Sequence, residues 1–253
     1  MNPCFKNLDR IEFLVTLACT GRCKHCSEGD HEAGGPHLDL EAARRAVARL
    51  CGAFHIRSLM VFGGEPLLYP EEACGILSAA RDLKIPKRQL ITNGYFSRDR
   101  AKIKETAAGV IQSGVNDILL SVDAFHQETI PLEPVLEFAR AVQAGGSPLR
   151  THPAWLVSPE AENPYNLRTR EILKTFAAMG IEASGGNVIF PGGNALKYLG
   201  DYFDLSRLPE NPYAENPQDI RALCVSPSGK VLGGNIREDD IVDLMEAYRP
   251  GLC

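Results

Sequence analysis

The sequence predicts an α/β fold: six parallel strands with helices on the outer face, curling into a partial (β/α)6 barrel of parallel strands with a small C-terminal extension. Three observations predict it. Apolar strand-like runs alternate with helical patterns from residue 11 to residue 190, the two sharpest local motifs each follow a strand end, and the pattern changes abruptly after Phe190. The strands read as residues 11–17, 58–62, 89–92, 117–123, 149–157 and 181–190. Helical patterns lie between them at 39–51, 70–83, 98–113, 133–144 and 165–179. Asp39 stands where an N-cap belongs and Gly180 where a C-cap glycine belongs. In such barrels chemistry collects at the carboxyl ends of the strands. Residues 1–190 are therefore expected to form the barrel and 191–253 the extension. The extension reads as a Gly-, Pro- and Asn-rich loop with a short helix at 195–202, a hairpin of 223–225 with 230–232 around Pro227-Ser228-Gly229, and a last helix at 239–248.

A chain of 253 residues buries about 70–75% of its unfolded surface, enough for a core without help from a cofactor. The net charge of −5 and a sequence pI near 5.7 imply no basic face for nucleic-acid phosphate. The start MNPCFKNLDR has no apolar stretch of signal-peptide length, and no run approaches the ~18 apolar residues of a membrane span. A cytoplasmic protein is expected, with neither nucleic acid nor membrane as partner. In that setting eight cysteines point to thiols and metal rather than disulfides. Cys51 and Cys74 fall on predicted outer helices and read as packing thiols.

Cys19, Cys23 and Cys26 stand at CxxxCxxC spacing in ACTGRCKHCSEG, just after the apolar run IEFLVTL. Structural zinc takes four ligands, which this segment reaches only by recruiting His25 or His31. An iron–sulfur cube held by three thiolates leaves one iron open. About forty residues on, the buried strand SLMVF runs into Gly63-Gly64-Glu65-Pro66. Two adjacent residues without Cβ let the backbone approach a ligand, and carbonyl and carboxylate groups accept hydrogen bonds from an ammonium; alternatively the string is a plain strand-to-helix turn.

The two motifs, in this order and spacing, resemble the radical SAM superfamily. The resemblance implies a three-quarter barrel, a [4Fe–4S] cluster on Cys19, Cys23 and Cys26, and S-adenosyl-L-methionine chelated by the open iron. Reductive cleavage of that cofactor to a 5′-deoxyadenosyl radical follows, under anaerobic conditions and with an electron donor such as a flavodoxin or ferredoxin. It also implies which residues meet the cofactor: Gly63, Gly64, Glu65 and Pro66 of the GGEP motif, His25 in the position of an adenine-facing ring, Thr92 and Asn93 at the third strand end, Ser121 and Asp123 on one face of the fourth strand, and Asn187 and Ile189 on the sixth. Each has a plainer reading, as a solvated loop histidine, an αL turn or a strand-end polar pair.

For the substrate, His126 follows the fourth strand and His152 lies on the fifth, either able to orient a ligand or move a proton, or else to pack as a hydrogen-bonded histidine. Arg150 can pair a carboxylate. The segment CVSPSGKVL from Cys224 resembles the start of the auxiliary-cluster tails of peptide-modifying members, the SPASM and twitch segments. It continues without a further cysteine until Cys253, so the tail is degenerate or truncated. Cys224 then reads as a relic or packing thiol, a hydrogen-atom donor, or part of a partial cluster site.

The leading function is a radical enzyme abstracting hydrogen from a peptide or small amino-acid-like substrate. Only about ten residues precede the first strand, so a separate peptide-recognition protein is expected to supply that role. A glycyl-radical-enzyme activase is a second reading, disfavoured because IEFLVTLACTG lacks the DGPG-like segment of that group. A non-catalytic iron–sulfur sensor or scaffold is the third.

Overall fold

The structure, a computed structural model, describes residues 1–31, 34–207, 211–212 and 214–251. Cys253 lies outside the described residues. The core is a six-stranded sheet of β1 (Arg10–Leu14), β2 (Ser58–Phe62), β3 (Lys87–Thr92), β4 (Asp117–Leu120), β5 (Leu149–Thr151) and β8 (Ala222–Val225), in the order β5-β4-β3-β2-β1-β8. Every neighbouring pair in it is parallel. Parallel strands need crossovers, and α1 (Leu40–Ala53), α2 (Pro70–Asp82), α3 (Arg100–Gln112) and α5 (Leu132–Ala144) supply them. A four-residue helix α4 (Ala124–Gln127) caps the end of β4, and α6 (Pro164–Ala177) follows the fifth strand.

Alternation along the strands sorts side chains between two faces. Ile11, Phe13, Leu59, Val61, Leu90, Ile118, Leu120, Leu223 and Val225 pack with helix residues such as Ala43, Val47, Ile76 and Phe138 in one buried core. The opposite, concave face carries Arg10, Glu12, Met60, Gln89, Asp117, Arg150 and Cys224. Asp39 accepts the N–H of Ala42 at 2.8 Å and so caps α1, an interaction worth about 1 kcal/mol.

Three expectations need correction. The fifth and sixth strands are each broken. The fifth splits into β5 and β6 (Ala154–Trp155) at Pro153, which has no N–H to give the ladder. The sixth keeps a bridge at Ala183 to Thr151, then breaks at Gly185-Gly186 before β7 (Asn187–Val188), which pairs parallel with β6. A Cβ on Gly186 would sit 2.2 Å from the Pro153 carbonyl oxygen, so the two breaks face each other.

The predicted tail hairpin also differs. Its turn forms, with Ser226 N–H bonding Lys230 O at 3.0 Å, but β8 pairs with β1 (Ile11 opposite Leu223, Phe13 opposite Val225) because its apolar pair is buried on the helix side. The antiparallel ladder instead joins β9 (Lys230–Val231) to β10 (Gly234–Asn235). The short helix after the barrel is α7 (Asn194–Leu199), continued by a 3-10 turn over Gly200–Tyr202, and the last is α8 (Ile241–Ala247). Among the described residues no helix is long and apolar enough to cross a membrane.

Candidate active site

The chain leaves β1 extended and turns at Leu17 into the cysteine loop. Two backbone bonds hold the GGEP motif on that turn: Gly64 N–H to Thr16 O at 2.7 Å and Glu65 N–H to Ala18 O at 2.8 Å. A Cβ on Gly64 would lie 2.3 Å from Ala18 O, and one on Gly63 2.6 Å from Thr16 O. The glycines therefore let the two motifs touch as backbone, a reason beyond ligand approach for finding Gly at both positions.

Together the motifs enclose a cavity of about 110 Å³ lined by Cys19, Cys23 and Cys26, by His25, His31 and His126, and by Gly63, Gly64, Thr92, Asn93 and Ser121. Cys19 and Cys23 are buried and Cys26 half-buried. Burial pushes the Cys19 thiol up to about 11, with the nearby Glu65 and Cys26 adding to it, and burial drives Cys23 and Cys26 upward as well. A bound cation reverses that cost, because coordination holds the thiolate form.

Glu65 is fully buried and its carboxylate is held from within: Oε1 accepts Thr92 Oγ1–H at 2.7 Å and Leu67 N–H at 2.9 Å, and Oε2 accepts Asn93 N–H at 2.8 Å. Burial raises it to about 7 against the lowering of these three bonds. It thus ties the GGEP turn to the end of β3. Pro66 begins the following 3-10 turn, over Pro66–Leu68, and is buried.

Asp123 is also fully buried. It caps α4 by accepting His126 N–H at 2.9 Å, His126 Nδ1–H at 2.8 Å and Ala154 N–H at 2.9 Å. Burial alone would raise it, but the charge and hydrogen bonds of His126, with His25 beyond, hold it well below the usual carboxylate range. Asp123 therefore orients His126 toward the cavity. The His25 ring stands edge-on to His126 at 4.8 Å and tilted on Phe125 at 5.1 Å, and its buried Nδ1 has no partner among the described residues. Cys23, His25 and His126 have ligand atoms all within 4.8 Å of one another.

Other residues fall away from the cavity. His152, expected on the fifth strand, lies in the break between β5 and β6, where its Nδ1 meets Ser184 Oγ at 2.7 Å. Arg150 is taken by Asp117 at 2.7 Å, which Gln89 also donates to, so it is not a free carboxylate ligand. Asn187 is exposed on β7, while Ile189 is buried in a small second core with Phe125, Ala154, Leu156, Ala195 and Leu199. Cys224 is exposed and stands opposite Glu12 of β1.

The sequence reading missed one element of the site, Gly193 and Asn194. Asn194 N–H bonds Cys26 O at 2.9 Å and its Nδ2 reaches Cys23 O at 3.4 Å, so the PGGN segment grips the cysteine loop beyond its start at Thr16 and Ala18, where GGEP is bonded. Its signal was a Gly-Gly pair following a proline just past the end of the sixth predicted strand. His31, weighed only as a zinc ligand, stands 3.0 Å from Cys26 Sγ by Nε2 and 2.7 Å from Leu17 O by Nδ1.

Three soft donors on one cavity, with N–H groups of Gly21 and Asn93 aimed at the Cys19 sulfur at 3.3 and 3.6 Å, fit an iron–sulfur cluster. The family comparison agrees. The model of the radical SAM superfamily matches residues 13–149, more than half of the chain, and the chain belongs to that superfamily. It is an enzyme, and its cofactors are those of the superfamily, a [4Fe–4S] cluster and S-adenosylmethionine. Among curated relatives, it is 32% identical over 150 residues to a GTP 3′,8-cyclase of Aeromonas hydrophila and 26% identical over 123 residues to one of Chlorobaculum tepidum. These matches take in 54% and 49% of this chain, and 42% and 35% of the relatives, so the chain spans less than half their length. Among solved structures, Streptococcus suis SuiB bound to the precursor peptide SuiA superposes over 97% of this chain and 66% of SuiB, with a TM-score of 0.59 at 13% identity. Native anSMEcpe with bound AdoMet does so over 94% of this chain and 80% of its own, with a TM-score of 0.58 at 15% identity. These likenesses establish the partial barrel.

Proposed function

We propose that the chain binds its cluster through Cys19, Cys23 and Cys26, cleaves S-adenosylmethionine reductively and abstracts hydrogen from a peptide or small amino-acid-like substrate. When bound, the cluster and cofactor supply one electron and a 5′-deoxyadenosyl radical for C–H abstraction. The observation that carries the reading is the single cavity where three thiols meet the GGEP backbone and the ends of β3 and β4. Gly63, Gly64 and Ser121 present polar atoms to the cofactor; Glu65, Thr92, Asn93 and Pro66 hold the wall behind them. His25 gives a flat apolar surface, and His126, fixed by Asp123, gives a directed nitrogen. Asn187 and Ile189 stand outside the cavity wall, so a part for them requires the cofactor to extend past it toward β7.

For the substrate class, the concave face carries both signs of charge, with Arg10 beside Glu12 and Arg150 beside Asp117. The charges are matched in pairs, so the face is polar without a free charge, which suits a polar segment such as a peptide backbone, and Arg150 stays committed to Asp117. Cys224 lies on this face. Although the residue reaches the surface, the protein packed around its sulfur, with the Glu12 and Glu28 carboxylates, pushes the thiol up to about 12, so it carries its hydrogen at neutral pH. The reading places the protein in the cytoplasm under anaerobic conditions, supplied by a one-electron donor such as a flavodoxin or ferredoxin and served by a separate peptide-recognition protein.

Anaerobic iron and sulfide quantification combined with a dithionite-driven assay for 5′-deoxyadenosine tests it. About four irons per chain with cleavage is the expected result. A loaded cluster that never cleaves the cofactor, with or without candidate peptides, favours a sensor or scaffold. Transfer of the radical to a glycine of a partner enzyme favours an activase. In the Cys224→Ala variant the cluster and cofactor cleavage are expected to persist. If the thiol passes its hydrogen to a substrate carbon radical, becoming a thiyl that the electron donor restores with one electron and a proton, epimerised product disappears from that variant. Unchanged epimer formation rules the role out.

A further inference from the structure

Asn93 is 5% exposed and lies one residue beyond β3, at the wall of the cavity. Its side chain can take only one orientation. Oδ1 accepts Tyr95 N–H at 2.8 Å, so Nδ2 must face the cysteine loop. One of the two Nδ2 hydrogens meets Thr20 Oγ1 at 3.2 Å, and Thr20 spends its own hydroxyl hydrogen on Tyr95 O at 2.6 Å. A closed ring of hydrogen bonds thus fixes the amide, and the remaining hydrogen points at Cys19 Sγ, 3.6 Å away. The backbone N–H of Asn93 is bound in turn to Glu65. Of the cysteines, Cys26 has a histidine nitrogen at its sulfur, whereas Cys19 has two neutral donors, the Gly21 backbone N–H at 3.3 Å and this oriented side-chain amide, of which only the amide can be removed by substitution.

We infer that Asn93 sets the reduction potential of the cluster through the Cys19 sulfur, an inference that rests on Cys19 being a cluster ligand. A donor dipole aimed at a thiolate sulfur stabilises negative charge there. Reduction adds one electron to the cluster, so the bond favours the reduced state and raises the potential. Asn93 is in this sense a positioning residue, acting on the cluster by way of Cys19. The effect does not depend on pH in the neutral range, because an amide does not titrate.

The experiment is an anaerobic redox titration of the reconstituted protein, followed by electron paramagnetic resonance of the reduced cluster, on the wild type, Asn93→Ala and Asn93→Asp. Asn93→Asp keeps an oxygen for Tyr95 N–H and nearly the same volume, but replaces the donor by an acceptor. Both variants are expected to hold wild-type iron and sulfide and to titrate at a lower potential, Asn93→Asp the lower of the two. Thr20→Val leaves the sulfur contact in place and is expected to shift the potential least. Wild-type potentials in both Asn93 variants at full iron content overturn the inference. Failure of both to hold a cluster also overturns it, assigning Asn93 to loop structure alone. Absence of a four-iron cluster from the wild type instead overturns the ligand assignment.

Discussion

Replacing Cys19, Cys23 or Cys26 singly by alanine is expected to leave the chain folded, remove the four-iron cluster, and bring 5′-deoxyadenosine production down to background. The two halves of that expectation have separate causes. The loop's course is set by backbone: Gly64 on Thr16, Glu65 on Ala18, and Asn194 on Cys26. Losing one sulfur breaks none of these, so far-ultraviolet circular dichroism and the main unfolding transition should change little. The cluster depends on thiolate count, because two thiolates neither balance the charge of the cube nor fix it in place. Cys26→Ala is the most searching of the three. His31 Nε2 stands 3.0 Å from the Cys26 sulfur and is the nearest substitute donor. Wild-type iron and cleavage in any of the three variants would remove that residue from the ligand set. Residual iron in Cys26→Ala that vanishes in Cys26→Ala with His31→Ala would show the histidine taking its place.

Much of the frame behind that experiment can be read from local sequence, for a physical reason. Helices and central parallel strands announce themselves through periodicity and end signals. The run 58–62 is β2 residue for residue, and the pattern 133–144 differs from α5 by one residue at its start. The breaks in the fifth and sixth strands escaped because the apolar residues on either side of Pro153 and of Gly185-Gly186 (Leu149 and Ala154 to Val157; Ile181 and Val188 to Phe190) were joined into single strands across the polar residues between them. The two punctuating signals were present, and weighing them above hydropathy would have found the breaks. The pairing of β8 with β1 has no local signal at all, since a parallel register between residues some two hundred apart is written in neither segment alone. At the site, residue identity was readable but its direction was not. Glu65 and Asp123 looked like groups facing a ligand, and both turn out to spend their oxygens on neighbouring donors. A carboxylate at a strand end is equally suited to either duty, and only the surrounding N–H groups decide between them.

The least local feature, the grip of the PGGN segment, supports the second large effect. Gly193→Ala is expected to cost at least tenfold in cluster retention and cofactor cleavage, while the unfolding temperature of the barrel moves by a few degrees. Gly193 has φ +52° and ψ −127°, a backbone conformation that L side chains rarely adopt, at a cost of about 1–3 kcal/mol. A Cβ there would also sit 2.4 Å from Ser27 O and 2.6 Å from Cys26 O, both backbone atoms of the cysteine loop. Neither can swing aside like a side chain, so either the loop or α7 must retreat, and the bond from Asn194 N–H to Cys26 O goes with it. A tenfold loss corresponds to about 1.4 kcal/mol, less than the strain and the lost contact together. The main core is spared, because α7 packs in the small second cluster through Ala195 and Leu199 rather than against the sheet. Gly192→Ala is the matched control. Its Cβ would meet only the Phe190 ring, at 3.3 Å, which can yield by a few tenths of an ångström. Iron per chain after anaerobic reconstitution and desalting, measured beside 5′-deoxyadenosine, separates the two. Equal retention in both variants would mean that the cysteine loop is held by GGEP alone and that PGGN only passes by it.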